Sequence, residues 1–336
     1  MTQLGLLKAG IISPVIESLK SNGSNIAPIV AKARLPAYIN EHQQGLIPWV
    51  SACRFIEVVA RYTGDPLFSA NTLQSEDWEP ANRAASFSLF DASTRYESIR
   101  TFVERVNANS TGATLKTSVS GGWMWILRKP TQPGATESWQ AEQFVIATMV
   151  KAISFILGWD WQPKKLKIRL SELPTAIPDQ WKDAEIVTAS SHTAIGIRMI
   201  DIISATKSDN EYTEPPVHSQ QIELMGSVQN DPENLRSAVQ HYIALETPSM
   251  TYVAEAFGVS VRTFRRHLVT ANISYREMVD KTRYRRSLKL INDTSIPITE
   301  IAFSLGYDFP ENFTRAFRKQ TGVSPSEYRK MNAVGK

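Results

Sequence analysis

The chain of 336 residues contains a single cysteine, Cys53. An internal disulfide is therefore excluded, as is any metal centre built on a cysteine cluster. Cys53 stands in an amphipathic stretch with Ala52, Phe55, Ile56 and Val59, where it reads as a buried apolar residue. No uninterrupted apolar run approaches the ~20 residues of a membrane span. The N-terminus lacks a positively charged start followed by an apolar segment, so export is not expected and a cytoplasmic location is. The patterns G-x-S-x-G, H-E-x-x-H and G-x-x-x-x-G-K-[ST] are all missing. With them go the nucleophile elbow, the zinc-protease helix and the phosphate loop. Strong charge of one sign is missing too, since the net charge is only +4.

That small sum hides an asymmetry. Residues 231–336 carry 16 basic and 11 acidic side chains, whereas residues 1–230 carry 21 basic and 22 acidic. The positive excess lies in the C-terminal third, as contact with phosphate would require. It is modest, so specific contacts must supplement bulk attraction.

The same third contains a pattern that occurs twice, about 49 residues apart. The first copy has Met250, Val253, Ala254 and Phe257 at the i, i+3, i+4, i+7 spacing of one buried helix face, then Gly258. The second has Ile298, Ile301, Ala302 and Leu305, then Gly306. Glycine suits a helix end that turns through positive φ. A second helix follows each turn. Ser260 is placed to cap the first of these. With Phe264 and Leu268 inward, a 100° step puts Arg262, Arg265, Arg266 and Val269 outward. With Phe313 and Phe317 inward, Glu311, Thr314, Arg315 and Arg318 face outward. Arg262 matches Glu311, Arg265 matches Thr314, and Arg266 matches Arg315. This is the layout of a helix-turn-helix, whose second helix reads the major groove. Arginine can pair with guanine and glutamate can accept from cytosine. Flanking signals agree. Asp231-Pro232 reads as the start of a leading helix, Ser274 with Glu277 as a capping box, and Ser324 with Glu327 as another. About seven helices are expected in this region.

The stretches Val253–Ser260, Arg262–Leu268, Ile298–Tyr307 and Phe313–Lys319, running into Thr321–Arg329, closely resemble the DNA-binding domain of the AraC/XylS family of bacterial transcription regulators. The resemblance covers about 231 to 331. It implies two helix-turn-helix units joined by one long helix, with both recognition helices entering successive major grooves on one face of a duplex. Carried over by position, the DNA-contacting candidates are Ser260, Arg262, Thr263, Arg265 and Arg266 in the first unit. In the second they are Glu311, Asn312, Thr314, Arg315, Arg318 and Lys319. Two positions depart from the family pattern. Pro310 offers no base contact, and Pro297 stands where relatives often carry a capping serine.

Upstream, Ser208 to Pro216 reads as a linker, and the expected division is 1–207, linker 208–230, and DNA-binding domain 231–332. Helices are expected near 11–22, 25–34, 47–63, 92–108 and 137–158. Strands are expected at Ala113–Ser120 and Trp123–Lys129, joined at Gly121-Gly122 as a hairpin, and at Lys165–Leu170, Glu185–Ala189 and Ala194–Met199. The fold expected is thus an α+β N-terminal domain followed by an all-α C-terminal domain. Thr63–Pro66 and Leu157–Pro163 resemble, more loosely, the N-terminal domain of the branch called arabinose-binding-like. That resemblance implies sensing of a small molecule, dimerisation, or both. Pocket candidates are Trp123, Trp125, Arg128, Trp139 and His192. Against this, tryptophans on strands and helices are usually core, and Arg128 reads as a surface charge at a strand end.

The expected function is sequence-specific, DNA-binding transcription regulation on double-stranded DNA at the nucleoid. The resemblance implies activation through RNA polymerase, a small-molecule effector or a homodimer, and no cofactor or metal. Ligand-independent and repressing regulators remain alternatives. From another class, so does a DNA-binding domain fused to an enzyme such as an Ada-like methyltransferase, which needs a reactive cysteine.

Overall fold

The computed structural model describes residues 4–37, 39, 45–74, 94–131, 138–158, 160–203, 231–244, 248–293 and 295–333. The expected linker, 208–230, lies outside them, as does Trp159 of the Leu157–Pro163 stretch.

The N-terminal part is α+β. Its helices are α1 (Ser13–Ser21), α2 (Ala27–Lys32), α3 (Trp49–Thr63), α4 (Phe68–Gln74), α5 (Arg95–Asn109), α6 (Trp139–Leu157) and the short α7 (Met199–Ile203). Two strands, β1 (Leu6–Lys8) and β2 (Leu46–Pro48), pair antiparallel. The main sheet joins β3 (Ala113–Ser120), β4 (Trp123–Pro130), β5 (Lys165–Lys167), β6 (Glu185–Val187) and β7 (Thr193–Arg198) in the order β3-β4-β7-β5-β6. All its pairings are antiparallel except β5 with β6.

The hairpin turn falls at Gly121-Gly122, at φ 56° and 78°, the two positive φ values of a type I′ turn. On β4 the alternation is regular, with Met124, Ile126 and Arg128 buried and their neighbours more open. That corrects one expectation. Arg128 is not a surface charge but 2% exposed, because it falls on the inward phase of a strand whose other inward residues are core. α6 packs over the sheet with Phe144, Ile146, Met149, Val150 and Ile153 buried. At 19 residues and a mean hydropathy of 1.3 it is long and apolar enough to cross a membrane, although no uninterrupted apolar run of that length exists. The helix carries Glu142, Gln143 and Lys151 among its apolar residues, and most of it is buried inside the fold.

Among the described residues the C-terminal part is all-α, with seven helices. These are α8 (Pro232–Ile243), α9 (Met250–Ala256), α10 (Val261–Thr270), α11 (Tyr275–Ile291), α12 (Ile298–Ser304), α13 (Pro310–Thr321) and α14 (Pro325–Ala333). They build two separate cores. One gathers Leu235, Val239, Ile243, Val253, Phe257, Phe264 and Leu268. The other gathers Ile291, Ile301, Leu305, Phe313 and Phe317. α11 serves both, giving Tyr275 and Met278 to the first and Tyr284, Leu288 and Ile291 to the second. Leu4, Leu6 and Leu46, from the β1–β2 region, complete the first core. Among the described residues, no counterpart from the N-terminal part appears in the second cluster.

Candidate nucleic-acid interface

Each copy of the repeated pattern folds into the same local object. α9 and α12 end on glycines with left-handed backbone, Gly258 at φ 67° and Gly306 at φ 79°. In both, the glycine N–H and the next N–H turn back onto the helix. Gly258 N donates to Glu255 O at 3.1 Å and Val259 N to Ala254 O at 3.1 Å. Gly306 N donates to Phe303 O at 2.9 Å and Tyr307 N to Ala302 O at 3.1 Å. This closes the carbonyl ends that a helix otherwise leaves open. Ala254 and Ala302 are 1% and 0% exposed, and their small side chains let the following helix cross close by.

The second helices are α10 and α13. Ser260 caps α10 by accepting from Thr263 N at 3.2 Å, and its hydroxyl also meets that of Thr263. α13 has no capping side chain. Phe309 holds the cap position and Pro310 the first turn, where its missing N–H costs nothing. Phe264 is wedged against Phe257, with ring centroids 5.0 Å apart. Phe313 packs between Tyr307 and Phe317, 5.6 and 5.7 Å away.

With those faces inward, Arg262, Arg265 and Arg266 are exposed and show no ion pair among the described residues. Glu311, Arg315, Arg318 and Lys319 are exposed on α13, while Asn312 and Thr314 are half-buried. Asn312 holds Arg315 through its side-chain oxygen, Thr314 donates back to Pro310 O at 3.1 Å, and Arg318 lies 4.0 Å from Glu327. Pro310, Glu311, Thr314, Arg315, Arg318 and Lys319 line a shallow, open hollow along α13.

The supports around the units are capped as expected. Asp231 caps α8, with Pro232 in its first turn. Ser274 caps α11 through Glu277 N. Ser324 and Glu327 form the reciprocal box at α14. The Ser324 hydroxyl and backbone N–H hold the Glu327 carboxyl below its ordinary range. Pro297 caps α12 without a side-chain bond, yet the helix starts at the next residue. Tyr275 anchors α11 by donating to Pro248 O at 2.6 Å, and burial pushes its phenol up to about 12.

Other residues, with no motif to mark them, brace the turns. On α11, Arg283 donates to Gly306 O at 2.9 Å and stacks over Tyr307, and Arg286 reaches Ser304 O at 3.5 Å. The first turn is held from the N-terminal part instead. Ser51 of α3, 0% exposed, places its hydroxyl 3.0 Å from Ala256 O, the position equivalent to Ser304 O. Arg54 reaches Glu255 O at 3.3 Å. Val50 packs so closely that a Cβ on Gly258 would lie 2.9 Å from it. Arg34, itself at φ 58°, pairs with Glu255 at 2.8 Å, lies 4.4 Å over the Tyr252 ring, and accepts from Tyr242 through its carbonyl. Nothing in the sequence pattern around Val50, Ser51 or Arg34 signalled this role.

The pocket candidates do not converge. Trp123 and Trp125 lie side by side on the outward phase of β4, capped by Lys165 and Lys167. Trp139 packs edge-on against buried Trp181, Arg128 lies inside beneath Trp49, and His192 sits in a surface turn beside Ser191.

Residues 253–331 match the family model described as a helix-turn-helix domain. The ornithine utilization regulator of Pseudomonas aeruginosa is 40% identical over 82 residues, 24% of this chain and 24% of that protein. The transcriptional activator RhaS of Escherichia fergusonii is 29% identical over 104 residues, 29% of this chain and 37% of that protein. CfaD of Escherichia coli, a transcriptional activator, is 22% identical over 162 residues, 48% and 57% of the two chains. The chain thus spans about a quarter of the length of the first of these curated relatives. The crystal structure of the transcriptional regulator CdpR from Pseudomonas aeruginosa aligns over 94% of this chain and 96% of that one, at 18% identity and a TM-score of 0.36. The C-terminal part of this chain is an AraC-type helix-turn-helix domain.

Proposed function

We propose that the whole chain is a sequence-specific, DNA-binding transcription regulator, acting as an activator under the control of its N-terminal part. The observation that carries the reading is the duplication. Two units with the same turn and an inward apolar pair four residues apart, Phe264 with Leu268 and Phe313 with Phe317, each present a cation-bearing helix face to solvent. In this reading Arg262, Arg265 and Arg266 contact one major groove, with Ser260 and Thr263 near its edge. Glu311, Asn312, Thr314 and Arg315 contact the next, with Arg318 and Lys319 toward phosphate. α11, at 17 residues, rises about 25 Å. With a head at each end, that suits grooves about 34 Å apart on one face.

The division 1–207, 208–230 and 231–332 belongs to this reading, as do a small-molecule effector or homodimerisation through the first segment, and RNA polymerase as partner. The contacts of α3 with the first turn give control a physical route, since a change in the N-terminal part would reach α10 directly. An enzyme fused to the domain is disfavoured at its one thiol. Burial pushes Cys53 up to about 12, so it holds almost no thiolate for attack.

Competition binding tests the reading. A duplex selected from random sequence should outcompete bulk DNA by about 10³-fold or more at physiological salt, with two protected segments one helical turn apart. Equal competition by random duplex would leave only a non-specific binder.

A further inference from the structure

The inward row of β4 is apolar until its last member. Met124 and Ile126 are 0% exposed, and Arg128, 2% exposed, follows them. Its guanidinium lies 4.8 Å over the ring of Trp49. Both terminal nitrogens of Arg128, and the Trp49 indole N–H, are buried without a hydrogen-bond partner. Facing the same interior from α6 is Glu142, 0% exposed. One of its oxygens accepts from the Thr193 hydroxyl and from Arg169 N. The other, Oε2, is buried and accepts from no group among the described residues. Thr193 is also the cross-strand neighbour of Arg128, so the two charges share one end of the sheet. Burial disfavours the charge on Arg128 and the Glu142 carboxylate favours it, yet no ion pair joins them among the described residues.

Such an arrangement is costly. A guanidinium cannot shed its proton in a protein, and a buried charge left unpaired is strongly destabilising. Native proteins keep such groups where something else satisfies them.

We propose that Arg128 and Glu142 are the two ends of an enclosed site for a small carboxylate that carries its own hydrogen-bond donor, an amino acid or a hydroxy acid. The carboxylate sits on Arg128 with the Trp49 N–H beside it, and the amino or hydroxyl group donates to Glu142 Oε2. The polar atoms are sealed from solvent, so the ligand is small and enters by local opening. Trp49 begins α3, and the next two residues, Val50 and Ser51, hold the first turn of the DNA-binding part. Occupancy is therefore one helix end away from α10. That link rests on the regulatory reading above, whereas the site itself does not.

The test uses the full chain without DNA, in a thermal-shift titration with glycine, L-serine and L-lactate, and with acetate as an anion lacking the donor. At saturation at least one donor-bearing probe raises the unfolding midpoint by about 3 °C or more, and acetate raises it less. Arg128→Met abolishes every response. Glu142→Gln keeps the acetate response and loses the excess given by the donor. The proposal is overturned if the parent responds to none of the four, as it would with a lone water between the two groups. It is equally overturned if Arg128→Met responds like the parent. Should Arg128→Met fail to fold, an unchanged donor excess in Glu142→Gln overturns it alone. A probe that binds but leaves DNA affinity unaltered counts against control of DNA binding and not against the site.

Discussion

At the scale of single residues, the arginines on α10 are the sharpest test. Arg266 is exposed and shows no ion pair among the described residues. Arg266→Ala should leave the unfolding midpoint within a degree or so, since surface changes are worth about ±0.5 kcal/mol. It should cost about 1–3 kcal/mol at a selected duplex and relax preference at one base position. Quantitative competition with single-base variants measures both, and an unaltered preference profile removes Arg266 from base reading. Cys53 offers a second check. With its thiol pushed up to about 12 by burial, it should resist iodoacetamide at pH 8 in the folded chain and label fully in denaturant. Rapid labelling without denaturant would show that α3 is packed otherwise. Arg128 shows where reading residue by residue failed. Arginine is usually a surface residue, whereas the strand's period-2 phase put this one inside, and phase outranks type once a strand is fixed.

At the scale of elements, caps and turns decide how firmly the units are held. Ser274 accepts from Glu277 N at 3.3 Å at the head of α11, which serves both cores. Ser274→Ala should cost about 1 kcal/mol, read as a lower midpoint in urea with an unchanged slope. Gly258→Ala should cost more, about 1–3 kcal/mol. The left-handed backbone and the 2.9 Å approach of Val50 both oppose a methyl group. A neutral result would mean that α3 does not press on the turn. Most helices of the C-terminal part were legible from a 3.6-residue apolar period or from a capping residue at the start, as in α8, α10, α11 and α14, whereas α12 and α13 carry no capping side chain. β3 and β4 were legible from alternation around Gly121-Gly122. β1 and β2, three residues each, were not. They are too short to show a period, and they pair across a long stretch of chain. The strands expected at Lys165–Leu170 and Glu185–Ala189 shortened to three residues each.

At the scale of the whole molecule, charge and connectivity set the behaviour. If phosphate contacts anchor the complex, log affinity should fall linearly with log salt, by roughly 0.9 per phosphate neutralised. Filter binding from low to moderate salt checks this, and a flat plot contradicts the interface. A fragment of residues 231–336 should remain helical by circular dichroism, since two apolar cores lie largely within it. Its first unit should melt before its second, because Leu4, Leu6 and Leu46 are lost from that core alone. The two-unit layout was visible in the duplicated pattern. The grip of the N-terminal part on one unit was not, because it is made by backbone carbonyls and by side chains of ordinary type. That grip makes the molecule lopsided. One head is clasped by its own neighbouring rod, and the other borrows its clasp from a stranger in sequence. A chimera grafting this C-terminal part onto a foreign partner would then carry over the recognition of one half-operator intact, while the other half would have to be tuned again.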